Sequence, residues 1–308
     1  MKKLHARVIE DFKGQHKETI VSTCDLLGHN RQVYYRALKS RAYKQSIAQQ
    51  VIVLVRGVRN IMPRLGTRKL YHILKMELSI LKVGRDKLFR ILKANHMLIK
   101  PKRSYHITTD SHHRFRKHKN IVSNLEIEEP EQIWVSDITY VGTRANPTYL
   151  ALITDAYSKK IMGHNVSNSL AVDGSLQALE MALNNRNTKD KPLIHHSDRG
   201  LQYCSNDYQA LLKDNNIKAS MTEKYDPYEN AIAERINGIL KQEFGIARNI
   251  KNIDLKKQLI KSAVSTYNNS RPHLSNHMLT PVEMHKQKKL KRKQYKLKKL
   301  NDACIVKL

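Results

Sequence analysis

The run Ile133-Trp134-Val135-Ser136-Asp137-Ile138-Thr139-Tyr140-Val141 restricts this chain more than any other stretch. Its β-branched and aromatic residues favour an extended strand. An acid at the centre of such a run is costly unless it is paired or bound to a cation, so Asp137 needs a partner. A second carboxylate, Asp198, lies just past the apolar run Pro192-Leu193-Ile194 and is followed by Arg199-Gly200, the pattern of a buried strand ending in a loop. A third follows on a helix. Asp226, Pro227 and Glu229 supply an N-cap, a first-turn proline and a capping-box acid, which gives Asp226 and Glu229 structural roles. At about 100° per residue, Ile232, Ile236 and Ile239 then share one arc of that helix. Asn230, Glu234, Asn237 and Lys241 share the opposite arc, with Glu234 and Lys241 about 10 Å apart along the axis. An ordinary amphipathic helix gives the same stripe.

Three carboxylates converging from two strands and a helix would repel one another, and a hard divalent cation with oxygen ligands relieves that repulsion. The expected site therefore holds magnesium or manganese between Asp137, Asp198 and Glu234. One or two such ions can make hydroxide from water, orient a phosphodiester and stabilise the leaving oxygen of an in-line displacement. Asp155 is the chief rival acid. It stands at a strand-to-turn junction beside Lys159 and Lys160, where a turn-forming or surface-paired aspartate is the ordinary explanation.

Charge points to the same class of substrate. Fifty-six Lys and Arg against 27 Asp and Glu leave a net charge of +29, an excess suited to a polyanion. A purely structural nucleic-acid binder would be equally basic, so charge identifies a partner and no reaction. No apolar run approaches the roughly 20 residues needed to span a bilayer. The start MKKLHARVIEDFKG lacks the apolar core of a signal peptide, so a cytoplasmic protein without membrane association is expected. Cys24, Cys204 and Cys304 lie far apart with no CxxC pair, and neither disulfides nor a thiolate zinc site is expected. The pairs His112-His113 and His195-His196 read as structural or solvated.

Several domains are expected along the chain. Residues 1–44 contain an apolar-periodic segment ending at Gly28, with Asn30 capping a second helix. As a helix-turn-helix, that segment would present Arg31, Gln32, Tyr35 and Arg36 to the major groove. Any small helix pair could look the same. Residues 45–100 read as a second three-helix bundle, marked by Leu54, Val55 and Val58, then Leu70, Ile73 and Leu74, then Leu88, Ile91 and Leu92. Residues 101–130 read as a basic linker able to track phosphates through Arg114, Arg116 and Lys117. Residues 131–285 read as a mixed α/β domain. In it, strands at Tyr149–Ile153 and Ile161–Val166 complete a meander, a helix over VDGSLQALEMALNNR crosses to the Asp198 strand, and Lys218–Met221 adds a short strand. An amphipathic helix over Ile253–Tyr267 ends near Pro272, and residues 286–308 form a basic tail.

With 35 residues between Asp198 and Glu234, the acids resemble the DD(35)E signature of retroviral integrases and related transposases. More closely, WVSDITYV, YLALITDAYSKKIMG, HHSDRGLQY, SMTEKYDPYENAIAERINGILKQEF and YNNSRPHLSNHMLTP resemble second-reading-frame transposases of the insertion sequence three family, over about Thr19 to Glu283. The resemblance implies an RNase H-like catalytic domain preceded by two small all-α domains of helix-turn-helix type. The second of these, around GTRKLYHIL, would offer Arg85, Lys87 and Arg90 to DNA. Asp137, Asp198 and Glu234 would be catalytic and hold two metal ions. The DNA contacts would include Lys241, which matches a basic residue near the cleaved end, with Asn237, Asn230 and Arg199 beside the site. Arg271, in YNNSRPH, would either touch DNA or hold the fold. Implied partners are the element ends and target duplex, an upstream-frame protein as fusion or partner, and further copies of the chain, working at a bacterial nucleoid. Two other readings stay open: a DNA-binding regulator with an idle site, and a plain RNase H-like nuclease. The zinc site of retroviral integrases is not visible in this chain.

Overall fold

The computed structural model describes residues 8–12, 19–100, 118–122, 125–143, 146–223, 230–248, 250–287 and 290. The readings placed on Asp226, Pro227 and Glu229, on the arginines and lysine of the linker, on His112-His113, on Cys304 and on most of the basic tail fall outside these residues.

The chain divides into two units, Met1–Asn60 with Gly66–Leu98, and Ile61–Leu65 with Ile99–Leu308. In the first, residues 8–12 form helix α1. Helix α2 (Ile20–Leu26) is capped by the Thr19 hydroxyl, and α3 (Arg31–Ile61) starts where Asn30 Oδ1 accepts the Gln32 N–H at 2.8 Å. The expected boundary between residues 44 and 45 falls inside α3. No glycine or proline interrupts the chain from Arg31 to Arg56, so nothing in its local propensities ends the helix at Lys39 or Lys44. Three short helices follow: α4 (Thr67–Ile73), α5 (Lys75–Ile80) and α6 (Arg85–Ala94). Val51 and Val55 of α3 and Leu70, Leu78, Leu88 and Leu92 of the short helices are buried.

The second unit is built on a five-stranded sheet of order β3-β2-β1-β4-β5. The strands are β1 (Ile133–Tyr140), β2 (Tyr149–Asp155), β3 (Ile161–Ser167), β4 (Leu193–Ser197) and β5 (Ile217–Met221). The first three form an antiparallel meander, and β4 and β5 run parallel to β1. Parallel neighbours need crossovers. Helix α7 (Val172–Asn184) makes the first, and α8 (Leu201–Cys204) with α9 (Asn206–Asp214) makes the second. The strand order and directions are those of an RNase H-like fold, as expected.

Alternation along β1 decides which face carries what. Trp134 joins Ile153, Leu179, Leu193, Tyr208 and Leu212 in the core beneath α7 and α9. Ile133 and Val135 point the other way, into a smaller cluster with Ala233 and Ile232 of α10 (Ala231–Ile239). Helix α7 lies so close to β3 that a Cβ on Gly163 would sit 2.0 Å from the Ala178 carbonyl oxygen and 2.8 Å from the Ala182 nitrogen. Both are backbone atoms that cannot swing aside. Gly163→Ala is therefore expected to lower unfolding free energy by about 3 kcal/mol, at the upper end of ordinary overpacking, read as a fall in denaturation midpoint.

After a π-helical turn, Leu240–Phe244, the chain forms α11 (Ile253–Ser270), a 3-10 turn at Leu274–Asn276 and α12 (Pro281–His285). Thr280 and Glu283 make a capping box at the start of α12. Asp155 needs a correction here. It does form the turn, accepting from the Ser158 N–H at 2.7 Å and its hydroxyl at 2.6 Å, yet it is fully buried and has no surface partner. It also accepts the Glu131 N–H at 2.7 Å, and His285 stands between its carboxylate and that of Glu131, at 3.6 and 3.3 Å. Burial opposes ionisation of Glu131, but bonds from His285, Asn187 and Thr188 outweigh it and hold the carboxyl down to about 2. This pairing of α12 to the sheet is a fastening, and Asp155 is not a rival for the site.

Candidate active site

Asp137 stands mid-strand in β1 opposite Leu152. It shares the face of Ile133 and Val135, which is the face covered by α10. On β4, Ile194 packs against the same cluster, so Asp198, four residues on and just past the strand, belongs to that face too. The parallel register pairs Trp134 with His195 and Val135 with His196, and just beyond this paired stretch the charge of Asp198 acts on Asp137.

Two asparagines fasten α10 over this point. Asn230 Nδ2 donates to the Ser136 carbonyl at 3.0 Å, and Asn237 Nδ2 donates to Asp137 Oδ2 at 2.7 Å. They were expected on an exposed polar arc facing DNA. That expectation is corrected: Asn230 is 7% and Asn237 4% exposed, because the helix turns this side toward the strand that carries an acid needing a donor. Glu234, in the first turn of α10, is exposed. Lys241 is partly buried in the π-helical turn that continues the helix.

The electrostatics join these groups. Burial, reinforced by the negative charge of Asp198, pushes the Asp137 carboxyl up to about 7. The bond from Asn237 opposes the rise, Glu234 adds to it, and the Lys241 ammonium opposes it. Burial also raises the Glu234 carboxyl and lowers the Lys241 ammonium, the latter partly offset by Asp137. Among the described residues no three His, Cys, Asp or Glu side chains form a ready-made metal cluster. The donor chemistry nonetheless suits a hard divalent cation. The groups offer carboxylate oxygens, and burial together with the Asp198 charge keeps a proton on Asp137 near neutrality.

The other expected contact residues are scattered. Arg199 is partly exposed directly after Asp198, where Asp198 Oδ1 accepts the Gly200 N–H at 3.1 Å. Arg31, Gln32, Tyr35 and Arg36 are exposed at the start of α3. Arg85 opens α6 and pairs with Asp86 at 3.0 Å on the surface, with Lys87 and Arg90 on the same helix. Arg271 is corrected as a DNA contact: it is 1% exposed, and its guanidinium forks onto the Glu243 carboxylate.

Sequence reasoning missed the support beneath the acids. His195 Nε2 lies 2.6 Å from Ser136 Oγ and 2.9 Å from the Tyr208 hydroxyl, on the opposite face of β1 from Asp137. Burial, aided by neighbouring His196, lowers the His195 imidazole to about 3, so it stays neutral. Its place in the strand-forming run was visible, but its partners come from β1 and α9.

Comparison with known proteins adds the following. The Integrase core domain family matches residues 127–227, and a second Integrase core domain family matches residues 215–281. The chain is 33% identical over 254 residues to a protein of Shigella sonnei described as the insertion element IS600 uncharacterized 31 kDa protein, covering 81% of this chain and 92% of that one. It is 38% identical over 135 residues to transposase InsF for insertion sequence IS3A of Escherichia coli K12, covering 42% of this chain and 46% of that one. Among solved structures, the HTLV-2 integrase catalytic core domain aligns with 51% of this chain and 97% of its own, at 20% identity and a TM-score of 0.41.

Proposed function

The chain belongs to the insertion sequence three family of transposases with an integrase-like core, and from that premise we propose that it binds the ends of a mobile element, cleaves one strand there and transfers the freed 3′-hydroxyl to another phosphodiester. The observation that carries this reading is that Asp137, on β1, lies in the field of Asp198, just past the end of the neighbouring parallel strand β4, and of Glu234, on the helix that packs against that face.

Asp137, Asp198 and Glu234 would hold magnesium or manganese, in the full complement two ions. That group supplies Lewis-acid activation of water and neutralisation of phosphate charge when bound. The side chains of the protein do the rest. Asn237 fixes one oxygen of Asp137 by donating to Oδ2. Glu234 is exposed in the first turn of α10, and its charge acts on Asp137. Lys241, within electrostatic reach of Asp137, offsets acid charge at rest and would meet the phosphate next to the cleaved bond. Water and then a DNA hydroxyl are the nucleophiles, so no serine, cysteine or histidine needs a covalent role. The exposed arginines at the starts of α3 and α6 would carry end recognition, with Arg199 beside the site. The upstream-frame protein would join as fusion or partner, copies of the chain would assemble on paired ends, and the work would be done at the nucleoid.

Incubation of the purified chain, with and without the upstream frame fused, with labelled element ends and magnesium tests the reading. Nicked ends followed by joined products are expected; shifted complexes without either would leave a DNA-binding regulator. Lys241→Ala is expected to weaken binding to a cleaved end by about 5- to 10-fold and to change nonspecific duplex binding by less than about twofold. Equal losses on both substrates would reduce Lys241 to a general phosphate contact.

A further inference from the structure

The motif YNNSRPH is accounted for by two attachments. At the end of α11, the Tyr267 hydroxyl donates to the Lys159 carbonyl at 2.9 Å, and the Asn268 amide bridges Ile161, accepting its N–H at 2.9 Å and donating to its carbonyl at 3.0 Å. These bonds hold the end of α11 on the β3 edge of the sheet. The second attachment is Arg271. Its Nε and Nη2 donate to the two carboxylate oxygens of Glu243 at 2.8 and 2.7 Å, Nη1 lies 2.7 Å from His273 Nε2, and the guanidinium carbon lies 5.8 Å from the centre of the Tyr267 ring.

Glu243 belongs to the π-helical turn Leu240–Phe244, which also carries Lys241 and ends at Gly245 in the left-handed region, φ 68°. Its backbone carbonyl accepts the Arg64 N–H at 3.2 Å. Such turns are rare insertions in α-helices, persist where their surroundings hold them, and occur frequently at functional sites. A buried ion pair is weak evidence for stability, since an apolar pair of similar volume often serves as well. What the planar two-toothed fork provides, and a lysine would not, is a fixed direction.

We propose that Arg271 is a positioning residue for strand cleavage: by gripping Glu243 it fixes the π-helical turn and thereby aims Lys241 at Asp137. The sheet edge, the end of α11 and the fork form a continuous run of contacts to the turn that carries Lys241. The proposal rests on the reading of Asp137 and its neighbours as the cleavage site, and its test has an arm that does not.

Arg271→Lys and Glu243→Gln are made in the full chain and confirmed as folded by circular dichroism. Without DNA, the rate of acylation of the Lys241 amine by an N-hydroxysuccinimide ester is mapped by mass spectrometry. A change of at least about threefold at Lys241, with lysines of the amino-terminal unit unaffected, is expected in both variants. Single-turnover cleavage of an element end should fall by about 10- to 100-fold, and Lys241→Ala added to Arg271→Lys should cost little more, because residues acting through one another are not additive. Unchanged acylation in both variants, or a full additive loss from Lys241→Ala, overturns the proposal. A wild-type chain that never cleaves would sink the proposed function and leave the acylation result to decide this one. Should Arg271→Lys fail to fold, Glu243→Gln, near-isosteric and still able to accept from Arg271, decides it.

Discussion

Asp198→Asn is expected to lower single-turnover cleavage of an element end by about a thousandfold or more, equivalent to roughly 4 kcal/mol of lost transition-state stabilisation, while duplex binding stays within about twofold. The substitution changes almost no volume, and the backbone around it is held by β4 and by Gly200, so the fold survives. What disappears is one negative charge beside Asp137. A divalent cation held by Asp137, Asp198 and Glu234 would lose one charged oxygen donor. The exposed arginines of α3 and α6, which would carry general affinity, lie elsewhere in the chain. A second consequence needs no DNA. Since the Asp198 charge is among the causes that hold Asp137 near 7, the neutral variant should lower the Asp137 pKa, which carboxyl NMR titration in chelator can follow. A variant that cuts at the wild-type rate would remove Asp198 from the site. A pKa of Asp137 that does not move would mean that the two carboxylates do not share a field.

Asp137→Asn should abolish cleavage as well, and it should stabilise the metal-free protein. Asp137 has a folded-state pKa of about 7 against an ordinary 3.8, so the folded form holds this proton more tightly than the unfolded chain does. Stability from this group is complete below pH 4, is lost as pH rises toward 7, and stays lost above it. In chelator at pH 8 the asparagine variant is therefore expected to be more stable than wild type by on the order of 2–4 kcal/mol. The difference should vanish near pH 4. Magnesium should reverse the order at pH 8 by stabilising wild type and leaving the variant unmoved, because an ion that binds only the folded state adds stability in proportion to its occupancy. Thermal denaturation of both proteins across pH, with and without magnesium, gives all of these results. A wild-type midpoint that does not respond to pH between 4 and 8 would mean that burial and the Asp198 charge do not raise the Asp137 carboxyl.

How much could be read from the residues differs by element. Asp137 in its strand, the meander, the crossover helix and the exit of β4 at Asp198 follow from local alternation, turn chemistry and run length. Those signals operate over a few neighbouring residues and survive into the structure. The helix of Glu234 was equally legible, but the side it would show was not. An asparagine on a polar arc reads as solvent-facing. Only the packing of that helix on β1 reveals that Asn237 spends its donor on Asp137, 100 residues away. The long α3 was cut in two because its apolar spacing suggested separate bundles, although no helix breaker stands at the junction. Helix α12 carries a complete capping signal in Thr280, Pro281 and Glu283, equally local in origin.

By itself the sequence determined the identity of the acids, their order, the strands and helix that bear them, and a charge suited to nucleic acid, all of them properties of local chain chemistry. Tertiary structure decided which groups share a field and which hold which. Arg271 is the clearest case, since nothing near it in the chain shows that its partner is Glu243, 28 residues earlier. Coulomb and hydrogen-bond energies depend on distance in space, and the chain fixes that distance only once its sheet has brought remote segments together.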